Sequence, residues 1–215
     1  MGQNTSHAVM SQRIEAHDSL DDFPTQPWAT RAFVEHVLKA IGVDPQNLTA
    51  WEPACNRGFM ARPLAEYFKH VHTSDIFDYG WQGQQRTCDF LWPDSEPSGP
   101  IDWVITNPPF RLAQQFIQRG LSVARDGMAV IVRSQFSEGI NRYNEIYGPN
   151  PPNVEVHYAE RVPMVKGRCD PKASTATAYS WFVWRKNAER LPSIWIPPCR
   201  KALERDGDYD DVGAA

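Results

Sequence analysis

"IDWVITNPPF", residues 101–110, decides the fold. Ile101, Trp103, Val104 and Ile105 give its first part the composition of a buried strand. The run then stops at Asn107-Pro108-Pro109-Phe110. Two successive prolines end a ladder, because neither has an N–H to donate. A buried strand that finishes in a stiff tip carrying an amide and an aromatic ring presents acceptors, and the surrounding sequence shows what for.

Outward from this stretch, strand-like and helical segments alternate. Strands are predicted over 48–54, 71–76, 86–90, 101–106, 127–134, 154–160 and 177–186. Helical spacing is clearest over 28–42, where Ala32, Val34, Val37, Leu38 and Ile41 form one stripe, and extends to 61–70, 111–124 and 137–148. Thr25 and Pro27 stand where a helix cap and a first-turn proline belong. Alternation of this kind predicts an α/β fold, a mostly parallel sheet with helices on both faces. Such sheets hold ligands at the carboxyl ends of their strands, near the switch point.

The chain has 215 residues, which points to one domain. Its net charge of −4 is unevenly spread: residues 1–22 carry −3 and residues 203–215 carry −4, leaving +3 on 23–202. Both ends are polar and are expected to be mobile tails flanking a single domain over 23–202. The mildly basic centre permits nucleic acid binding. Cys55, Cys88, Cys169 and Cys199 are scattered without a C-x-x-C, so neither a metal site nor a disulfide framework is expected, and a reducing cytoplasm fits. No apolar run has the length of a membrane span, and no membrane partner is expected.

The strand ends carry the chemistry. The first ends in "WEPACNRGFM" (51–60), with Glu52 at the tip and Gly58 in the following loop. Asp75 ends the second strand, at the place where a carboxylate accepts both hydroxyls of a ribose. Asp89 ends the third, followed by Phe90; an acid there can accept from an adenine amino group while the ring covers the base. Three acids at successive strand ends point to an adenosine-containing ligand. At the fourth, the Asn107 side-chain oxygen and the Pro108 carbonyl are two converging acceptors for a planar –NH2 group. Such an amine is a poor nucleophile, because its lone pair is delocalised into the ring. Hydrogen bonds to both its hydrogens favour a pyramidal nitrogen with the lone pair aimed at an electrophile. Phe110 adds a face on which a base can stack.

This ordered set resembles the S-adenosylmethionine-dependent amino-methyltransferases, and most of all the N6-adenine DNA methyltransferases of small phage and prophage type. Asn107-Pro108-Pro109-Phe110 is similar to their catalytic motif, and Glu52-Pro53-Ala54-Cys55 to the start of their cofactor motif. Asp75, Asp89 and Phe90 stand at the ribose and adenine positions. Phe23-Pro24-Thr25-Gln26-Pro27 resembles the segment that touches the methionine end, and "AYSWFVWRK" (178–186) the final antiparallel strand. The resemblance covers about residues 23–186. It implies a seven-stranded Rossmann-like sheet with an antiparallel last strand. It further implies S-adenosylmethionine as cofactor, methyl transfer to adenine N6 in DNA by direct displacement, and no metal. RNA purine or protein glutamine methylation, and a non-catalytic nucleic-acid-binding module on the same fold, are the alternatives.

The chain departs from the family in two ways. Asn56 stands where the cofactor motif usually has glycine; asparagine tolerates the left-handed conformation, so the turn is expected to survive, and glycine there to be accepted. No length remains for a separate recognition domain, so recognition is expected from loops 135–153 and 161–175. The second loop carries Arg161, Lys166, Arg168 and Lys172, which are either phosphate contacts or a solvated face. Trp28 is the tryptophan expected near the cofactor.

Overall fold

The computed structural model describes residues 20–210. Strands β1 (Thr49–Glu52), β2 (His70–Asp75), β3 (Arg86–Thr87), β4 (Trp103–Thr106), β5 (Gly127–Arg133), β6 (Val154–Tyr158), β7 (Tyr179–Arg185) and β8 (Ile194–Ile196) form one sheet. Their order is β3-β2-β1-β4-β5-β7-β6-β8. Strand β7 runs antiparallel to β5 and β6, and the other pairs are parallel. This is a Rossmann-like α/β sheet, mostly parallel with one antiparallel strand and helices on both faces. The eighth strand was not expected: "IWI" is too short to show alternation, and it becomes a strand only because the edge of β6 is there to pair with it.

Alternation along each strand divides the core in two. Trp103 and Ile105 of β4 share one face with Ala129, Ile131, Trp181 and Val183. Val104 joins Met128, Val130, Val132, Phe182 and Trp184 on the other. Helix α1 (Pro27–Phe33) covers the first face, continues in wider π turns over Val34–Leu38, and stacks Phe33 on Trp181 with ring centroids 4.2 Å apart. Helix α2 (Ala61–Ala65) lies on the same side, burying Ala61 and Leu64. Helix α3 (Ala113–Val123) buries Ala113, Phe116 and Ile117 against the second face. Helix α4 (Ile140–Arg142) runs on in π turns over Tyr143–Tyr147, and α5 (Arg200–Leu203) is the last helix of the described residues. Pro27 is at the first turn as expected, but the N-cap is Gln26, not Thr25, and it makes no side-chain cap. The Gln26 side chain instead accepts from Trp28 Nε1 at 2.8 Å and donates to the Asp170 carbonyl at 2.8 Å.

The tail boundaries need correction where residues are described. Residues 204–210 fold back onto α1, and Asp208 is only 6% exposed. Arg31, every bit as buried, donates to Asp208 at 2.7 Å, to Glu66 at 2.7–3.1 Å and to the Leu203 carbonyl at 2.8 Å. A buried guanidinium needs anions, and the acidic C-terminal segment supplies one; its charge reads as a tail in sequence and acts as an anchor in the fold. At the other end, Asp21 and Asp22 are tied into the strand-end region described below. The rest of both expected tails, residues 1–19 and 211–215, lies outside the described residues. Among the described residues no helix is long and apolar enough to cross a membrane.

Candidate active site

The strand order reverses between β1 and β4, and a cleft opens at the carboxyl ends of these two strands and β2. Thr25, Glu52, Pro53, Ala54, Cys55, Asn56, Asp75, Asp89, Phe90, Asn107 and Pro109 all line it. Its free volume is only about 80 Å³, and Leu20, Asp21 and Asp22 are part of its wall.

The turn after β1 is built around Asn56. Its backbone is left-handed, with φ +48°, and its N–H donates to Asp75 Oδ2 at 2.9 Å. The side chain is used as well. Oδ1 accepts from Arg57 N at 2.7 Å, and Nδ2 donates to Asp22 Oδ1 at 2.7 Å. Asparagine here therefore does what glycine cannot: it tethers the segment at the cleft wall. This reverses the expectation that glycine is accepted. Asn56→Gly should loosen residues 20–22 and weaken ligand binding a few fold, and Asn56→Val should weaken it more, since a β-branched residue resists positive φ. Equal ligand affinity for the three proteins, by calorimetry, would count against this role. Gly58, two residues on, has no such freedom: φ is +80°, and an added Cβ would lie 2.5 Å from the Trp81 ring.

The cleft holds unmatched polar atoms of opposite kind. Glu52 is 2% exposed, and its Oε2 has no hydrogen-bond partner among the described residues. Burial, with the Asp75 charge beside it, holds the Glu52 carboxyl well above the usual carboxylate range. Thr25 Oγ1 is likewise buried and unpartnered among the described residues. Asp75 accepts from Asn56 N and, through Oδ1, from Phe77 N at 3.1 Å. Burial raises its pKa, and these N–H groups pull against that rise. Each carboxylate oxygen keeps a further lone-pair direction for a ligand. Phe90 is buried between Trp51 and Phe116, with centroids at 4.9 and 4.8 Å. Burial pushes the Cys55 thiol up strongly, which makes it a packing group and a poor nucleophile.

At the end of β4, Asn107 is oriented by its amide nitrogen. Nδ2 donates to the Phe23 carbonyl at 2.8 Å and sits 3.7 Å from Met164 Sδ. That assigns Oδ1 to the open side as an acceptor. Pro109 O accepts from Leu112 N at 2.9 Å, which starts the turn into α3, and Phe110 N donates to Asp21 Oδ2 at 2.5 Å. Phe110 differs from expectation. It does not line the cleft, and its ring is covered: Phe23 lies 5.5 Å away, Tyr179 6.3 Å, and the Arg133 guanidinium sits over the ring at 4.8 Å. Any stacking face for a base is occupied by that cation.

Of the remaining expected residues, Gly58 and Pro108 shape the backbone without lining the cleft. Arg161, Lys166, Arg168 and Lys172 are exposed and stand away from the cleft. Arg161 donates to the Ala176 and Thr175 carbonyls, and Arg168 pairs with Asp170 at 3.4 Å. Their loop nevertheless reaches the site through Met164, and through Gly167, whose N–H donates to the Asp22 carbonyl. Trp28 is fully buried in the core against Tyr158 and does not reach the cleft. Ile76, Tyr79, Asp21 and Asp22 were missed. Ile76 follows a strand-end acid, a readable signal; Asp21 and Asp22 had none, because their charge was absorbed into an acidic tail.

No family model matches the chain, and no curated protein matches it in sequence. Solved structures share its fold. The methyltransferase subunit of a type I restriction-modification system from Streptococcus thermophilus matches with TM-score 0.54 and 12% identity, over 89% of this chain and 51% of that one. The chain thus spans about half the length of that subunit. A candidate hemolysin from Lactococcus lactis matches with TM-score 0.51 and 10% identity, over 80% of this chain and 93% of the other. Magnesium protoporphyrin IX methyltransferase from Synechocystis PCC 6803, solved with bound SAM, is more distant at TM-score 0.47 and 19% identity, over 74% and 79%. The first two likenesses bear on the fold alone.

Proposed function

We propose that this protein transfers a methyl group from S-adenosylmethionine to the N6 amine of adenine in DNA. The observation that carries the reading is the tip of β4: an amide whose nitrogen is committed to the Phe23 carbonyl, so that its oxygen faces out beside a cleft lined by strand-end acids. The cleft suits the cofactor chemically. Its methionine end carries an ammonium and a carboxylate, and the cleft offers an unpartnered carboxylate oxygen at Glu52 and an unpartnered hydroxyl at Thr25. Asp75 would hold the ribose, and Ile76, Asp89 and Phe90 the adenine. The narrowness of the cleft means that Leu20–Asp22 must shift outward to admit a ligand of this size, since small-molecule sites span roughly 300–1,000 Å³.

The bound cofactor would supply an electrophilic methyl group. The protein's own part is positioning and polarisation. Asn107 Oδ1 and the Pro108 carbonyl accept from the two amine hydrogens, which draws the nitrogen towards a pyramidal shape and directs its lone pair. Phe23 holds the amide from behind, so its orientation costs no reorganisation during the reaction. A base in duplex DNA has to leave the stack to reach this tip.

The direct test is incubation of the full chain with methyl-labelled S-adenosylmethionine and DNA, followed by nucleoside analysis. N6-methyladenine is the expected product. Label in N4-methylcytosine would retain the mechanism and change the base, and label found only in RNA or protein would overturn the DNA assignment. Asp75→Ala should weaken S-adenosylmethionine binding by ~1.5–3 kcal/mol, the worth of hydrogen bonds to a charged acceptor. Unchanged affinity by calorimetry would remove Asp75 from the ribose site.

A further inference from the structure

Asn107 and Pro109 line the first cleft, and Phe110, next in the chain, lines a second cavity. Phe110, Val132, Arg133, Gln135, Phe136 and Arg142 line it, around about 220 Å³ of free space. Two guanidinium–ring pairs stand in its wall: Arg133 over Phe110 at 4.8 Å and Arg142 over Phe136 at 4.7 Å. Arg142 is held in place by the Glu138 carbonyl, to which Nε donates at 2.8 Å. The Arg133 side chain has no hydrogen-bond or ion-pair partner among the described residues, and its Nε is buried without an acceptor. A cation kept in that state beside a reactive tip is costly unless an anion completes it. On either side of Arg142, Ile140 and Tyr143 are 81% and 64% exposed, a pair of large apolar side chains facing solvent.

We propose that this second cavity receives the DNA strand carrying the target base, with Arg133 and Arg142 on its backbone phosphates; the inference rests on the methyl-transfer reading above. An acceptor must approach Asn107 from the side that the cofactor cleft leaves open, and Phe110, three residues after Asn107 in the same tip, lines this second cavity. Arg133 covers the Phe110 ring until a base takes that face, and then turns its guanidinium to a phosphate, which satisfies the orphaned Nε–H side chain. Ile140 and Tyr143 supply the apolar surface that fills the gap left in the base stack, as wedge residues do in proteins that unstack DNA. Arginine suits both states of position 133, because its planar group stacks on a ring and also forks onto phosphate oxygens.

The test is fluorescence anisotropy of the full chain with a labelled 25-mer duplex and a labelled RNA hairpin, across a salt series. Arg133→Ala and Arg142→Ala should each weaken duplex binding roughly tenfold at low salt. Each should also flatten the dependence of log K on log salt by about one. Ile140→Ala should weaken binding with the salt slope unchanged. Should Arg133→Ala fail to fold, Arg133→Lys and Arg133→Gln at equal melting temperature make the same comparison, with lysine keeping the slope and glutamine losing it. Wild-type affinity and slope in both arginine variants, with DNA methylation intact, would overturn this inference and leave the reaction standing. Losses confined to the RNA hairpin would overturn the DNA occupant. A parent protein that binds S-adenosylmethionine and neither nucleic acid would bring down the DNA reading itself.

Discussion

Asn107→Ala is expected to lower methyl transfer by about 10²–10³-fold or more, the scale seen when one preorganised polar group is removed from a transition-state site. The amine loses an acceptor that matters most as the nitrogen becomes pyramidal, so the loss falls on turnover and not on substrate affinity. S-adenosylmethionine affinity should change only modestly, because Glu52, Thr25 and Asp75 hold their places independently of the amide. A small effect remains, since Nδ2 also anchors the Phe23 carbonyl. Single-turnover labelling separates the two: parental rate in the variant would exclude the amine-polarising mechanism. Asn107→Asp sharpens the comparison. It keeps an acceptor but sets a carboxylate oxygen against the Phe23 carbonyl, so an intermediate rate is expected. Phe110→Tyr should retain most activity, because the ring is what packs against Phe23 and Arg133.

The second large effect concerns stability. Arg31→Met should cost about 3 kcal/mol, because it leaves Asp208 buried without its cation. Burial opposes the Arg31 charge, but its hydrogen bonds to Asp208 and Glu66 outweigh that and raise its pKa, so the guanidinium stays charged. A methionine of similar length keeps the packing of α1 and isolates the electrostatic loss. In a chain of this size the melting temperature should fall by roughly 6–12 °C. Truncation at residue 203 should act in the same direction, by taking Asp208 from Arg31 and leaving the guanidinium with Glu66 and the Leu203 carbonyl. If truncation leaves the melting temperature unchanged, the segment over 204–210 is no anchor. Asp208→Asn should lose less than truncation, since its amide oxygen still accepts from Arg31.

Much of the architecture was readable one residue at a time. The apolar run from Ile101 to Ile105 could only be a buried strand, and Pro108-Pro109 had to end it, because neither proline can donate to a ladder. Alternation of strands and helical stripes required a covered parallel sheet, and the acids at the ends of β1 and β2 then fell on one edge as a matter of topology. The left-handed turn at Asn56 followed from the few residue types that adopt positive φ. These features are local, or depend only on chain order, and periodicity reports them directly.

Other features were decided by contacts between segments far apart in sequence. Asp208 reads as one charge in an acidic tail and becomes the partner of Arg31, 177 residues away, because a buried cation selects the anion that can reach it. Asp21 and Asp22 read as the end of another tail and instead hold Phe110 N, Asn56 and Arg57. Strand β8 exists only because β6 presents an open edge. The Phe110 ring looked free for a base in the sequence and is covered by Arg133, which lies on the neighbouring strand β5. Sequence spacing carries no information on such pairs. They form where the tertiary fold removes water, and there an unpaired charge or an open ring face costs enough free energy to choose its own partner.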